Sequence, residues 1–268
     1  MVRLTESLKA KPPSRAIWSG RISIGLVNVP VKMYTMIRDE SFQFRFVRKN
    51  DACPLKYERV CTLDGEMVEW ADVGRGYEVR KGEFVVFTKE ELDALRPSTD
   101  QRIRIDKFVP FKSVDGIYLD KSYILAPDKS GDAYSLLRAV LRDMGMAGVG
   151  RFTLRTKEYP ILIHEYRGSL LLTTLRYAYE VVDPNDVEAL QGLEEPDIEE
   201  FDLATKIIEN LSGDFDIMEY QDTFRERVEK LMDKKMKGET IVVEPSKQEE
   251  VKELMAALQE TLQKLQGT

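Results

Sequence analysis

Short runs of β-forming residues dominate residues 16–176 and restrict the folds that this part of the chain can adopt. The runs are rich in Val, Ile, Phe, Tyr and Thr, and Gly, Pro or Asp separates them. Strands are predicted at 16–27, 29–36, 42–48, 56–61, 66–70, 83–87, 102–110, 117–125, 151–156, 160–166 and 169–177. Many short strands at this spacing indicate a β-barrel or a β-sandwich.

Two helices are predicted within the β region. Residues 88–95 open with a capping box formed by Thr88 and Glu91. Residues 132–145 repeat apolar residues at helical spacing and end at Gly145, a typical C-cap. The β region therefore belongs to an α+β fold.

The pattern becomes helical after residues 183–186, DPND, and we place a domain boundary at residue 187. Two amphipathic helices are predicted, at 198–211 and 214–236, followed by a linker and a last helix that opens with Ser246 and Glu249 as a capping box. The predicted segments are a disordered lead-in at 1–14, a core at 15–187, a helical arm at 188–237, and a linker with the last helix at 238–268.

Charge is unevenly distributed along the chain, whose formal net charge is -7. Residues 1–50 have a balance of +7 and residues 188–268 a balance of -11. This asymmetry suggests two roles, one for each part. A local basic surface is compatible with the acidic total, because salt screens charges beyond about 8–10 Å.

Enzyme chemistry finds little support in the sequence. The single histidine, His164, lies between Ile163 and Glu165 on a predicted strand, where a structural role is expected. Phosphate-binding and dinucleotide-binding glycine motifs are absent. Asp128 and Asp132 are expected in a turn and helix cap rather than in a metal-dependent nuclease site. We therefore predict a protein that is not an enzyme.

The two cysteines, Cys53 and Cys61, are expected to be ordinary thiols. Cys61 begins C-x-x-D, with Asp64 where a zinc hairpin would carry its second cysteine. No metal and no cofactor are predicted. The absence of a signal peptide and of a membrane-length apolar run predicts a cytoplasmic protein with no membrane partner.

The stretch FQFRFVRKN at 42–50 alternates aromatic and polar residues. As a strand it would turn its three phenylalanines into the barrel and its arginines outward. The question is which negatively charged molecule those arginines face.

Several long motifs resemble the prokaryotic Ku family, the DNA-end-binding proteins of non-homologous end joining. They are RAIWSGRISIGLVNVPVKMY at 15–34, KYERVCTLDGEMV at 56–68, FVP at 108–110, YLDKSYILAPDKSGDAYSLLRAVL at 118–141, RFTLRTKE at 151–158 and LSGDFDIMEYQDTFRERVEKLMDKK at 211–235. The resemblance covers roughly residues 15–237 in order. Asp64 is the one departure, since many relatives have a cysteine there.

The resemblance implies a Ku-type β-barrel core with a bridge and a C-terminal helical arm, and a homodimeric ring through which duplex DNA threads. It implies neither nucleotide binding nor catalysis, and it implies association with the nucleoid at DNA breaks. A ring that loads on any broken end is expected to contact phosphates rather than bases. The candidate DNA-binding residues are Lys32, Arg45, Arg48, Lys49, Lys56, Arg59, Arg102 and Arg104. The candidate dimer-interface residues are Phe201, Ile208, Leu211, Tyr220 and Phe224.

Within residues 249–266, apolar residues recur at helical spacing and would form a narrow apolar stripe on a helix that could dock into a groove of a partner. This stretch resembles the C-terminal segment by which bacterial Ku recruits its multidomain ATP-dependent DNA ligase. The candidate ligase-binding residues are Val251, Leu254, Met255, Leu258 and Leu262. Alternatively, the helix folds back onto its own domain or pairs with its copy.

A different class of function stays open at this point. The chain could be a scaffold whose helical arm joins partners and whose basic barrel is merely soluble. Binding to linear duplex DNA, but not to a covalently closed circle, distinguishes the two.

Overall fold

The computed structural model describes residues 15–95, 101–129, 131–193, 195–238 and 254–266. The chain divides into two compact units, Met1–Val182 and Asp183–Thr268. The predicted lead-in at 1–14, the capping box of Ser246 and Glu249, and Val251 lie outside the described residues.

The first unit contains a closed seven-stranded barrel in the order β1-β2-β6-β9-β8-β7-β5 and a separate hairpin of β3 and β4. Neighbouring strands are antiparallel, except that β1 and β5 close the barrel in parallel. The strands are β1 Trp18–Ile24, β2 Val27–Thr35, β3 Arg75–Arg80, β4 Glu83–Phe87, β5 Arg102–Pro110, β6 Leu119–Pro127, β7 Met146–Leu154, β8 Lys157–Tyr166 and β9 Ser169–Leu175. The predicted α+β barrel is confirmed.

The helices are α1 Lys89–Ala94, α2 Asp132–Met144, α3 Ile198–Leu211, α4 Thr223–Met236 and α5 Leu254–Gln266. The capping box of Thr88 and Glu91 is present at α1. Gly145 ends α2 with a left-handed φ of 61°, which glycine adopts without steric cost. Asp197 caps α3 by accepting a hydrogen bond from the Glu199 N–H.

Alternating side chains of the barrel strands fill its interior. Ile22, Val31, Ile103, Leu125 and Leu172 are fully buried, because every second residue of a strand faces the core. Helix α2 adds two more side chains to the same core, Tyr134 and Leu141. The positions between the core residues of β1 and β5 carry polar and charged side chains, whereas those of β8 and β9 carry the buried Leu162 and Leu171.

Tyr134 links two strands through its hydroxyl. The hydroxyl donates to the Leu125 carbonyl at 2.6 Å and accepts from the Leu170 N–H at 2.9 Å. The side chain is 6% exposed. Since the two backbone groups belong to β6 and β9, this tyrosine attaches α2 to the barrel.

Tyr134→Phe is expected to lower the free energy of unfolding by about 1–3 kcal/mol, because it leaves buried backbone groups without their partner. Chemical denaturation measures the change. Tyr77→Phe, at a residue 67% exposed on β3, is the matched control and should leave stability within about 0.5 kcal/mol of wild type. Equal stability of the two variants would contradict the bridging role.

The predicted strand at 42–48 is wrong. This segment is irregular, with an isolated bridge between Val47 and Pro54, and Phe44 and Phe46 are 72% and 75% exposed. The expected packing of these phenylalanines inside the barrel is therefore also wrong. The physical reason is that a closed barrel has no free edge to which another strand could pair.

The predicted strands at 56–61 and 66–70 are likewise wrong. Only the bridge between Val60 and Met67 joins them, around a turn in which Gly65 has φ 78°. Strand β3, which was not predicted, pairs with the predicted strand at 83–87.

The predicted helix at 214–236 is shorter in the structure, since α4 begins at Thr223. The Asp216 and Asp222 side chains accept hydrogen bonds from the N–H groups of Met218 and Arg225. Such local bonds compete with a continuous helix and favour a turn followed by a helix N-terminus. Ile217 and Tyr220, which fall within the predicted helix, therefore precede α4.

Candidate nucleic-acid interface

Four arginines meet on the outer face of the barrel where β1, β5 and β7 run side by side. Arg21 lies opposite Arg102, and Arg104 lies opposite Arg151. All four are exposed. We call Arg21, Arg102, Arg104 and Arg151 the arginine ladder.

The arginine ladder lies on the outer face of the barrel because the neighbouring residues of each strand are buried in the core. Ile22, Ile103 and Phe152 are the residues next to ladder positions on the three strands, and each is at most 2% exposed. Because side chains alternate between the faces of a strand, burial of these three directs the neighbouring arginines outward. Adjacent strands lie about 4.8 Å apart, so the ladder spans roughly 10 Å across the barrel.

Gly150 brings β5 and β7 unusually close beside the ladder. A Cβ at this position would lie 1.7 Å from the carbonyl oxygen of Arg104, so any larger residue would collide with backbone. The register shifts between Ile105 and Lys107, directly after this contact. A bulge of this kind changes where the following side chains point. The glycine thus holds Arg104 and Arg151 next to each other.

The charges of the ladder repel one another, since like charges opposite each other on one face of a sheet are destabilising. Asp106 forms an ion pair with Arg151, from Oδ2 to Nε, at 3.4 Å. Both side chains are more than half exposed, and such pairs contribute at most about 1 kcal/mol. A polyanion bound across the ladder would relieve the repulsion, and arginine suits phosphate because its N–H groups form a planar fork.

Lys32 extends the same outer face onto β2. It lies opposite Ser19 of β1, two positions before Arg21. Its ammonium is 3.0 Å from Asp128, and this hydrogen bond, together with the carboxylate charge, raises the pKa of the lysine. Lys32 therefore keeps its charge while bound to Asp128.

The remaining predicted DNA contacts do not lie on the barrel strands. Arg45, Lys49 and Lys56 are exposed on the irregular segment that follows β2. Arg48 donates to both carboxylate oxygens of Asp51, at 3.0 and 2.5 Å, and is turned back onto its own loop. Arg59 lies 4.8 Å above the Trp70 ring.

The structure thus brings together Arg102, Arg104 and Lys32 from the predicted set and adds two residues, Arg21 and Arg151. Arg21 lies in the alternating stretch SGRISI and Arg151 at the start of a predicted strand. Alternation could have placed both on an outer face. Only the pairing of β1 with β5, and of β5 with β7, shows that they are neighbours.

The apolar residues predicted for the dimer interface are exposed on the second unit. Phe201, Ile208 and Leu211 of α3 are 59%, 66% and 64% exposed, and Tyr220 and Phe224 are 70% and 65% exposed. An apolar surface of this extent is typical of a protein-interaction site. The single chain leaves these side chains uncovered.

Helix α5 packs against α3 within the second unit. Met255, Leu258 and Leu262 are half-buried, and Leu254 is the first residue of the helix. On α3 the half-buried residues include Leu203, Ala204 and Ile207. This arrangement corresponds to the fold-back alternative, and it leaves the face of α3 that carries Phe201 and Ile208 open.

The described residues contain no group of three or more His, Cys, Asp or Glu that could hold a metal ion. His164 stacks on Phe111, with ring centroids 4.6 Å apart, and its burial lowers the pKa of the imidazole. Both cysteines are free thiols. In the part of the chain that is described, no helix is both long and apolar enough to cross a bilayer.

Comparison with known proteins gives a consistent result. The profile of the Ku70/Ku80 beta-barrel domain matches residues 23–203. The Non-homologous end joining protein Ku of Bacillus subtilis (strain 168) is 31% identical over 263 residues, which cover 96% of this chain and 85% of the relative. The protein of the same name from Archaeoglobus fulgidus is 33% identical over 250 residues, which cover 93% and 98%. That from Heliobacterium modesticaldum is 33% identical over 254 residues, which cover 94% and 92%.

Proposed function

Because this chain belongs to the Ku family, we propose that it is a non-catalytic homodimer that binds double-stranded DNA ends and recruits a DNA ligase for non-homologous end joining. The relatives carry that repair process in their names. The arginine ladder is the single observation on this chain that supports DNA binding most directly. It provides four guanidinium groups on one outer face of the barrel.

The chemistry of the ladder favours binding without sequence preference. Reading a base requires side chains that enter a groove with donors and acceptors matched to base edges. Arginines spread across a convex sheet face can instead contact successive phosphates, which fix position and carry no sequence information. The candidate contacts are the ladder and Lys32, followed by Arg45, Lys49, Lys56 and Arg59 on the irregular segment.

A ring explains how such a surface would select ends. Phosphates are identical at an end and within a duplex, so contacts to them cannot distinguish the two. If two copies form a closed ring, a duplex can enter that ring only at one of its ends. The exposed apolar residues of α3 and α4 are the proposed surface of the second unit for that dimer.

Binding to a linear duplex and to a covalently closed circle of the same sequence tests this function. We expect the linear duplex to be bound and the circle to compete poorly. If phosphate contacts dominate, the logarithm of the binding constant should fall with the logarithm of salt concentration by about 0.9 for each phosphate neutralised. Equal affinity for the two forms would contradict threading.

Ligase recruitment is assigned to α5 and the residues before it. Since Leu258 and Leu262 are half-buried beside α3, we propose that α5 leaves α3 when the ligase binds. A helix of this length is marginally stable alone in water, so it would be ordered by α3 or by its partner. The ligase would then compete with an intramolecular contact.

Deleting residues 246–268 is expected to leave DNA-end binding unchanged and to abolish stimulation of the cognate ligase. The substitution Leu258→Asp in the full chain should have the same effect as the deletion. Gln259→Asp, at the neighbouring exposed position, is the control and should keep ligase stimulation. Ligation of a linear plasmid measures the effect. Full stimulation by the truncated protein would overturn the assignment.

A further inference from the structure

Two stacked tyrosines follow the last barrel strand. The rings of Tyr177 and Tyr179 have centroids 5.3 Å apart and planes inclined by only 10°. Tyr177 is half-buried, whereas Tyr179 is 80% exposed. The Tyr177 ring therefore packs against the protein, and the Tyr179 ring is exposed to solvent.

The inner tyrosine is held in position by hydrogen bonds from both its backbone and its side chain. The Tyr177 N–H donates to Glu180 Oε2 at 2.8 Å, and its hydroxyl donates to the Glu158 carbonyl at 3.3 Å. Glu180 Oε1 in turn lies 3.4 Å from Lys157 Nζ. Because these bonds orient Tyr177, the ring of Tyr179 stacked on it is presented without further ordering, and ordering is a main cost of binding.

The geometry favours a flat ligand. The two rings are nearly parallel and form one column, so a planar group can continue the stack on the exposed Tyr179 ring. A proline-rich peptide instead docks into grooves lined by aromatic residues. Offset or parallel stacking on tyrosine is available to every nucleobase, since each has a π-face.

The charge beside the column suits a nucleotide. Lys157 Nζ lies 3.4 Å from the carboxylate of Glu180, the residue that follows Tyr179, and Arg155 is exposed in the turn between β7 and β8. Two carboxylates lie beside the column. Glu180 is bound by Lys157 and by the Tyr177 N–H, and the Glu158 charge acts on Tyr177. Lys157 and Arg155 are the cations available on this side to a phosphate next to a stacked base.

The column lies within reach of the arginine ladder. Leu154, three residues after Arg151 on β7, pairs with Lys157, whose Nζ lies 3.4 Å from the carboxylate of Glu180 beside Tyr179. Three residues correspond to about 10 Å along an extended strand. That distance equals roughly three stacked nucleotide steps of 3.4 Å. A duplex held at the ladder could thus extend an unpaired strand to Tyr179.

We propose that Tyr179 is a stacking platform for an unpaired base in the single-stranded overhang of a DNA end. The inference rests on the proposed binding of DNA ends and adds a preference for ends that carry an overhang. Alanine substitution of a residue that stacks on a base weakens binding of single-stranded DNA. Loss of the Tyr179 ring should therefore weaken overhang binding roughly 5- to 150-fold.

The test uses the full chain and three variants, Tyr179→Ala, Tyr179→Trp and the control Tyr166→Ala, whose residue is exposed at the end of β8. Each binds a linear duplex with one blunt end blocked and the other end either blunt or bearing a four-nucleotide overhang with 2-aminopurine. We expect wild type and Tyr179→Trp to bind the overhang more tightly and to quench its fluorescence. Tyr179→Ala should bind the blunt duplex normally and lose both effects.

Unchanged overhang affinity and quenching in Tyr179→Ala would overturn the platform while leaving end binding intact. An equal loss of affinity of Tyr179→Ala for the blunt and the overhang duplex would also overturn the platform, because Tyr179 would then contact the paired part of the DNA. A proline-rich peptide is titrated against the same variants. If Tyr179→Ala loses binding to the peptide but keeps its affinity for the overhang, the exposed tyrosine is a protein-binding site instead. Failure of wild type to bind any duplex would refute the proposed function, and the platform with it.

Discussion

Replacing Arg104 and Arg151 together with alanine is expected to weaken binding to a linear duplex by on the order of 100-fold at physiological salt. A hydrogen bond to a charged group contributes about 1.5–3 kcal/mol, and each 1.4 kcal/mol corresponds to roughly a tenfold change in affinity. The two residues lie opposite each other on β5 and β7. The salt dependence should also become shallower, by about 0.9 in the log–log slope for each phosphate that the variant no longer neutralises.

The matched control removes the same number of charges elsewhere on the barrel unit. Arg142 lies at the end of α2, paired with Asp143 at 2.9 Å, and Arg167 lies over the Tyr166 ring in the turn before β9. The double variant Arg142→Ala/Arg167→Ala should bind within a few-fold of wild type. Equal losses in both double variants would mean that net charge rather than the ladder controls binding. Wild-type affinity in both would place the interface elsewhere.

Phe224→Glu or Leu211→Asp is expected to convert the proposed homodimer into a monomer that no longer binds DNA ends. Burying a charge without a partner costs several kcal/mol, which is enough to dissociate an interface centred on these residues. Both side chains are about two-thirds exposed in the single chain. The substitutions should therefore damage assembly and leave the fold of the chain unchanged.

Sedimentation equilibrium over a range of protein concentrations measures the assembly, and circular dichroism verifies the fold. Leu63→Asp, at a residue 95% exposed in the turn before Gly65, introduces the same charge outside the arm and should remain dimeric. A folded monomer of the Phe224 or Leu211 variant that binds ends as tightly as wild type would contradict the ring. A dimer that persists in both variants would place the interface on other residues.

Local sequence patterns predicted most of the barrel correctly. Runs of β-forming residues bounded by turn residues predicted the strands that became β2, β5, β8 and β9, because β-branched and aromatic side chains pack well on a buried, pleated surface. The capping residues Thr88 and Gly145 marked helix ends, since their effect depends only on the neighbouring backbone. The motifs at 118–141 and 151–158 led to the family that the comparisons identify.

The alternation of Phe42, Phe44 and Phe46 gave a wrong prediction for an instructive reason. A period of two shows that a segment could form a strand with one apolar face. It does not show that a partner strand is available. The seven barrel strands already satisfy one another's backbone groups around a closed circle, so this segment remains outside with Phe44 and Phe46 in solvent.

The sequence by itself determined that short strands dominate the front of the chain, where α2 and α3 begin and end, and that basic residues gather in the first fifty positions. Tertiary structure alone decided which of those basic residues are neighbours. Arg21 and Arg102 are far apart in the chain and meet only because β1 and β5 close the barrel in parallel. Strand pairing depends on how the whole sheet satisfies its backbone hydrogen bonds, and no local pattern around either arginine contains that information.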